Sequence, residues 1–380
     1  MKPSTPFLLS AAVLMSTAGV AQAAPVAPSA FTVKVFAGAP SHATIGPDDI
    51  TSINGNVIVA WQNGIGPKGQ AGPHKILSST VVQYSHSGSA INRWSLPGKV
   101  DGISGDGNRL IATANEDGNS ILYVVKPGAP KQSQITQYTY KPAPDASGSS
   151  AVHTGGGTDS VQIVNGQILV SASAPTHSGR AATLRVTLDT VTSQKKTKIK
   201  TASKTRTKTV KLVTHVAKLS PTFLCSSHAT DALTGSRVSL HLTDPDSNAF
   251  VPTNSGDLFA GDYVLSSQAD DQLVFAAGLG SGHTSLTRLS LSFGPSGVKA
   301  GIDDVRWAPT DNATLYAVDN NANKIYKISG PFTAGEAIAS LDTVGSASMS
   351  TTLATLNDGS GELDPFLSGL KGAKGLLFMP

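Results

Sequence analysis

The sequence predicts an all-β fold: a single closed β-propeller of six blades, or seven if the C-terminal tail forms one of its own. Three observations carry this. First, an apolar segment that opens on Asp recurs along the chain, turns at Asn-Gly or a similar pair, and returns as a second apolar strand. Its copies run Asp48-Asp49-Ile50 to Trp61, Asp101-Gly102-Ile103 to Ala114, Asp159-Ser160-Val161 to Ala172, and Asp303-Asp304-Val305 to Val318. Second, 38 Gly and 22 Pro with only 14% charged residues suit many short strands and tight turns. Third, units of this length repeated several times indicate a propeller and not a solenoid.

The N-terminus reads as a processing signal. Lys2 precedes the apolar run Phe7 to Leu14, and Ala21-Gln22-Ala23 supplies a small-x-small cleavage site. Residues 1–23 are therefore expected to be a signal peptide, with the propeller over 31–380 and the mature chain exported to the periplasm or the extracellular space. No later segment approaches the ~20 apolar residues of a membrane-spanning helix.

The elements follow in order. Phe31 to Phe36 alternates and reads as a lone strand. In the first unit, Ile50 to Ile53 and Val57 to Trp61 flank Asn54-Gly55, a two-residue hairpin turn. Thr80 to Tyr84 and Ala90 to Leu96 complete it. The second unit runs Asp101 to Ile103, Leu110 to Ala114, Ile121 to Val125 and Gln134 to Tyr140. The third has Ser160 to Val164, Ile168 to Ala172 and Thr183 to Leu188. Residues 194–218 read as a basic insertion in a degenerate fourth blade. A fifth unit starts near Tyr263, and a sixth joins Val305–Trp307 to Leu315–Val318 as an inner hairpin. A ring must close to remove its edges. Closure is expected from pairing of the terminal strands, Phe31 to Phe36 beside Leu376 to Phe378.

The charge is uneven. The 194–218 stretch holds nine Lys and Arg and no acid. Without these nine and Lys2, the 29 basic residues fall to 19 against 25 acidic ones, so the mature body is acidic. An evenly basic nucleic-acid binder would not look like this, and the basic stretch lacks aromatics for base stacking. It reads as an exposed hairpin whose lysines block edge pairing, or as a contact for a cell-envelope component. Cys225 is the only cysteine, which excludes an intrachain disulfide.

The segment Leu315-Tyr316-Ala317-Val318-Asp319-Asn320, continuing to Asn323-Lys324-Ile325, resembles an NHL-repeat blade. The resemblance extends to propellers of the SMP-30 (senescence-marker-protein-30) and gluconolactonase type, and it is one of fold. In the lactonase branch it implies one divalent metal in the central channel, held by Glu, Asn and Asp. The N-terminal glutamate motif of that branch is missing here; Gly46-Pro47-Asp48-Asp49 stands in the comparable region.

Propeller geometry brings the residue that opens each inner strand and the loop after the second strand to one face. The candidate ligand-binding residues are Asp49, Gln62, Asn115, Asp159, His177, Asp304 and Asp319. Crowded carboxylates raise one another's pKa values or recruit a cation. Asp49 and Asp304 are candidate ligands for Ca²⁺ or another divalent ion. The competing reading is that an Asp at a strand start caps the preceding turn. In the doubled pairs, one acid would cap while the other faces the channel. His153 and His177 are candidates for proton transfer. Zinc-hydrolase spacing, a phosphate loop and a serine-hydrolase elbow are all missing. Two readings remain. One is a monomeric binding module for a small molecule or cell-envelope component, with a structural cation. The other is a metal-dependent hydrolase of the lactonase type.

Overall fold

The structure is a computed structural model that describes residues 24–380 apart from 176–178, 201–204, 281–282 and 296. The expected signal peptide lies outside the described residues. The chain is an all-β propeller. The second strands read as continuous apolar runs because both of their faces are buried. In Asn56–Trp61, Ile58 and Ala60 face the core shared with the second unit, while Val57, Val59 and Trp61 face the core shared with the last. The hydrophobic interior is thus divided among the clefts between neighbouring sheets.

Six strands line the channel: Pro47–Ile53, Val100–Asp106, Thr158–Val164, Pro245–Phe250, Val298–Trp307 and Ala373–Met379. Each contacts the next, and the last contacts the first. The first three units follow the sequence reading strand by strand. The fourth does not. Its inner strand is Pro245–Phe250, and Tyr263–Ser267, expected to open a unit, is its second strand. Asp246-Ser247-Asn248 carries no apolar residue after its acid, so the recurring signal is silent there.

The expected sixth hairpin is not formed. Val298–Trp307 pairs with Ala337–Val344, and Thr314–Asp319 pairs with Ala373–Met379 in the neighbouring sheet. Burial dictates this. Val305 and Trp307 pack with Ala337, Ala339 and Leu341, whereas Leu315 and Ala317 pack with Leu376 and Phe378. The terminal strands share one sheet but are not direct partners, a correction to the expected closure. Thr32–Gly38 pairs with Lys324–Ser329 at the outer edge, and Ala373–Met379 is innermost. The core explains it, since Phe36 packs edge-on against Tyr316 at 4.8 Å.

The basic stretch 194–218 belongs to one long hairpin, Ala181–Lys200 with Thr205–Leu224, whose bases are the outer strands of the third unit. The return strand also pairs in parallel with Ile135–Lys141 of the second unit, joining the two sheets edge to edge.

Every inner strand carries a β-bulge, near its start in five of them and midway along Val298–Trp307. In the first, Pro47 pairs with Trp61 and Ile50 with Val59, leaving two residues opposite one. The second bulge residue locks the strand to its neighbour. Asp49 accepts the N–H of Ile50 at 2.7 Å and, from the next inner strand, the N–H of Ile103 at 2.6 Å. Ser160 donates to the side-chain oxygen of Asn248 at 3.0 Å. Asp304 accepts the N–H of Leu376 at 2.8 Å, the N–H of Val305, the Ser247 hydroxyl and the Arg306 guanidinium. Elsewhere a glycine lies flat against the next strand. A Cβ on Gly102 would sit 2.6 Å from the Cα of Ser160, and one on Gly375 would sit 2.6 Å from the carbonyl oxygen of Asp48.

Two outcomes follow from these locks. Gly375→Ala is expected to cost about 1–3 kcal/mol, because the obstructing atoms are backbone; Gly128→Ala, where a Cβ meets nothing within 4 Å, serves as the neutral reference. Equal melting temperatures for the two variants would refute the close-approach argument. Asp304→Ala leaves Arg306 without its carboxylate and is expected to cost about 3–5 kcal/mol in urea titration.

Candidate functional site

The bulge gives each inner strand one residue that faces the channel at the same level. These are Asp48, Asp101, Asp159, Asp246, Asp303 and Lys374, each following Pro47, Val100, Thr158, Pro245, Ile302 or Ala373 in the ladder. They line one cavity of about 80 Å³, together with Asp49, Asp304, Lys99 and Glu116. Eight carboxyl groups thus face two ammonium groups. Farther along the same strands, a second cavity of about 220 Å³ is lined by Arg306, Gln162, Thr51, Trp307, Phe250 and Phe378, so the channel has an acidic end and a second end without carboxylates.

Within the acidic end the groups differ in what satisfies them. Lys374 pairs with Asp303. Lys99 lies 2.9 Å from Asp101 and also pairs with Glu116. The Gln62 amide donates to Asp101 at 3.2 Å. The other Asp101 oxygen is buried and takes no hydrogen bond. Asp159, only 7% exposed, sits in the cavity wall. Asp48 and Asp246, each half-buried, line the same cavity.

Burial pushes the Asp159 carboxyl well above the usual range, and Asp246 raises it further. Burial likewise raises Asp246, reinforced by Asp303 and only partly offset by Lys374. Asp101 is raised by burial in spite of Lys99. Asp48 is pushed up to about 6 by burial, with Lys374 and Lys99 pulling it back. Burial brings Asp49 up to about 8 against the pull of Arg306, and Asp304 up to about 6. Asp303 is the leading cause of the upward shift of the Lys374 ammonium. Carboxyls crowded around one such cavity cannot all ionise cheaply. A cation placed there would relieve them.

Of the residues expected at the site, Asp49, Asp159 and Asp304 line the cavity. Gln62 reaches it through Asp101. Asn115 and Asp319 instead hold the segments leading into inner strands. Asn115 accepts the N–H of Lys99 at 3.0 Å, and Asp319 accepts those of Lys371 at 3.0 Å and Gly372 at 3.1 Å. His177 lies outside the described residues, and His153 is not among the residues lining the cavity. Glu116, from the loop after the second strand of the second unit, lines it too, and Lys99, Asp246 and Lys374 complete the cavity without having been expected at the site. Pro245-Asp246 repeats Pro47-Asp48, and Ala373-Lys374-Gly375-Leu376 repeats Val100-Asp101-Gly102-Ile103 with the charge inverted. Only the register makes these parallels visible.

Ca²⁺ takes six to eight oxygens converging at about 2.3–2.6 Å. Among the described residues no three His, Cys, Asp or Glu side chains are so grouped. The oxygens of Asp49 and Asp304 are already engaged by backbone N–H groups.

The raised carboxyls make stability depend on pH. A carboxyl whose pKa is higher in the folded chain keeps its proton where the unfolded chain has released it. Its stabilisation is full at pH below about 4 and is lost as pH rises through the folded value. Asp246→Asn, which keeps the shape and removes the charge, is expected to raise the melting temperature at pH 9 and leave it nearly unchanged at pH 4. A lower melting temperature at pH 9 would show that the carboxylate has a stabilising partner.

No family model matches the chain, and no curated relative does. Solved structures of similar fold include a protein of unknown function from Bacteroides caccae, 10% identical over 88% of this chain and 86% of that one, with a TM-score of 0.43. Another is the periplasmic gluconolactonase of Pseudomonas aeruginosa, 11% identical over 88% of each chain, with a TM-score of 0.44. The chain's resemblance to gluconolactonase-like propellers is one of fold.

Proposed function

We propose that the protein is an exported, six-bladed propeller that binds a cationic ligand at the acidic end of its channel. One observation carries the reading: eight carboxyl groups line one small cavity against two ammonium groups, and the buried Oδ2 of Asp101 has no hydrogen-bond partner there. Burying a charge is costly unless it is paired, and the unmet acceptors favour an incoming cation. Lys99 and Lys374 neutralise only part of a ring that holds eight carboxyl groups. A second reading, hydrolysis of a lactone-type ester, draws on Asp48. Held at about 6 beside two lysines, it suits proton transfer near neutral pH.

Isothermal titration of the mature chain with Ca²⁺, Mg²⁺, alkylammonium and guanidinium ions tests the first reading. Binding of at least one, weakened at least tenfold in the double variant Asp159→Asn/Asp246→Asn, is expected. No heat from any of them at millimolar concentration would overturn it. The second reading requires turnover on a lactone and ester panel, lost in Asp48→Asn; a panel without turnover removes it.

A further inference from the structure

The long hairpin of the third unit reaches well past the ring. Ala181–Lys200 pairs with the second strand of its own unit only as far as Val186. Thr205–Leu224 pairs with Ile135–Lys141 only from Val216 to Lys218. Outward of Asp189 and Val216, among the described residues, the two strands pair with each other alone. The ladder from Thr190 with His215 to Lys200 with Thr205 is thus a free arm, about 34 Å long at the usual rise of an antiparallel strand. A two-stranded ribbon with neither face covered gains little stability of its own, so the needs of the fold do not explain the arm. None of the residues lining the acidic cavity belongs to it.

Its charge is ordered. From Gln194 with Lys211 to Lys200 with Thr205, every rung sets one Lys or Arg opposite an uncharged residue. Like charges are thereby kept from facing one another directly. No acid lies between Asp189 and Asp231 in the chain. At the root, Lys218 pairs with Asp189 at 2.6 Å; farther out, the arm supplies no acid to its own bases.

The two faces also differ. Partners in a ladder share a face, and successive rungs alternate between faces. By this register one set of rungs carries Val191, Leu212, Val210 and Ile199, interleaved with Lys195, Lys208 and Arg206. The alternate set has a single apolar residue, Val213 near the root, and then sets lysine opposite threonine three times toward the tip. Val191 and Leu212 are exposed, as is Lys195 between them.

We propose that this arm docks on a membrane surface rich in anionic lipids, with the set of rungs that carries Val191 and Leu212 toward the headgroups. An element that rests on a bilayer inserts apolar groups at the headgroup level and draws acidic lipids with the bases around them. A soluble polyanion would be held by charge alone, and it gives no reason for apolar residues gathered on one set of rungs. Single-stranded nucleic acid calls for aromatics to stack on, and the arm has no Phe, Tyr or Trp.

Cosedimentation of the mature chain with vesicles tests the proposal. One set of vesicles is an equimolar mixture of phosphatidylglycerol and phosphatidylcholine, and the other is phosphatidylcholine alone; heparin and duplex DNA are titrated in parallel. The anionic vesicles are expected to bind the chain at least tenfold more strongly than the neutral ones, with the advantage lost at high salt. Lys196→Gln/Lys198→Gln/Lys200→Gln is expected to weaken that binding at least tenfold. Val191→Ser/Leu212→Ser is expected to weaken vesicle binding and leave heparin binding unchanged. In a third variant an Asn-Gly turn replaces residues 190–215 and joins the register partners Asp189 and Val216. With its melting curve checked for folding, it is expected to lose vesicle binding; if it does not fold, the two substituted chains decide. Equal binding to both vesicles, or undiminished binding by the lysine variant, overturns the proposal. Binding to heparin or DNA without binding to vesicles also overturns it and assigns the arm to a soluble polyanion.

Discussion

The whole architecture hangs on one backbone irregularity repeated around the ring. A regular strand would send successive residues to opposite faces of its own sheet. The bulge in each inner strand sets two residues against one partner and re-aims both. One enters the channel; the other turns to the neighbouring sheet. The first set supplies the chemistry and the second supplies the joints. Asp49 and Asp304 are joints by side chain, and Gly102 and Gly375 are joints by the lack of one. Both occur in the same dipeptide, so the acidic mouth cannot be redesigned without touching the closure of the ring.

Electrostatics then sets the character of the mouth. Carboxyls at one level of a narrow channel repel one another and are poorly hydrated, so several hold their protons well above the usual range. Lys99 and Lys374 offset part of this, each through a partner of its own. The remainder is stored as unmet acceptor capacity. A site in this condition is poised: a cation gains the attraction of carboxylates that its own arrival helps to ionise.

The sequence made the ring legible wherever an acid was followed by an apolar run, because that pattern reports both the bulge and the buried strand after it. It fell silent at Asp246, where Ser247 and Asn248 face polar partners, and at Lys374, where the charge is inverted. Chain proximity misled at Trp307 and Leu315. A gap of seven residues resembles a hairpin, but which sheet a strand joins is decided by the faces it buries. Asn115 and Asp319 illustrate a further ambiguity. A polar residue after the second strand reads equally as a ligand contact or as a clamp, and only the donors around it distinguish the two.

The crossed strands have a bearing on assembly. The chain leaves Val298–Trp307, contributes Thr314–Asp319 and Lys324–Ser329 to the adjoining sheet, returns for Ala337–Val344, and ends in Ala373–Met379 back in that sheet. The last two sheets are therefore interlaced and must mature together. Thr32–Gly38, made at the outset, has no partner until Lys324–Ser329 exists nearly 300 residues later. Contacts of such long range are slow to form, because loop entropy is lost before they are made. The first strand thus waits with bare edges through most of synthesis, and the circle shuts only once the whole polypeptide is present.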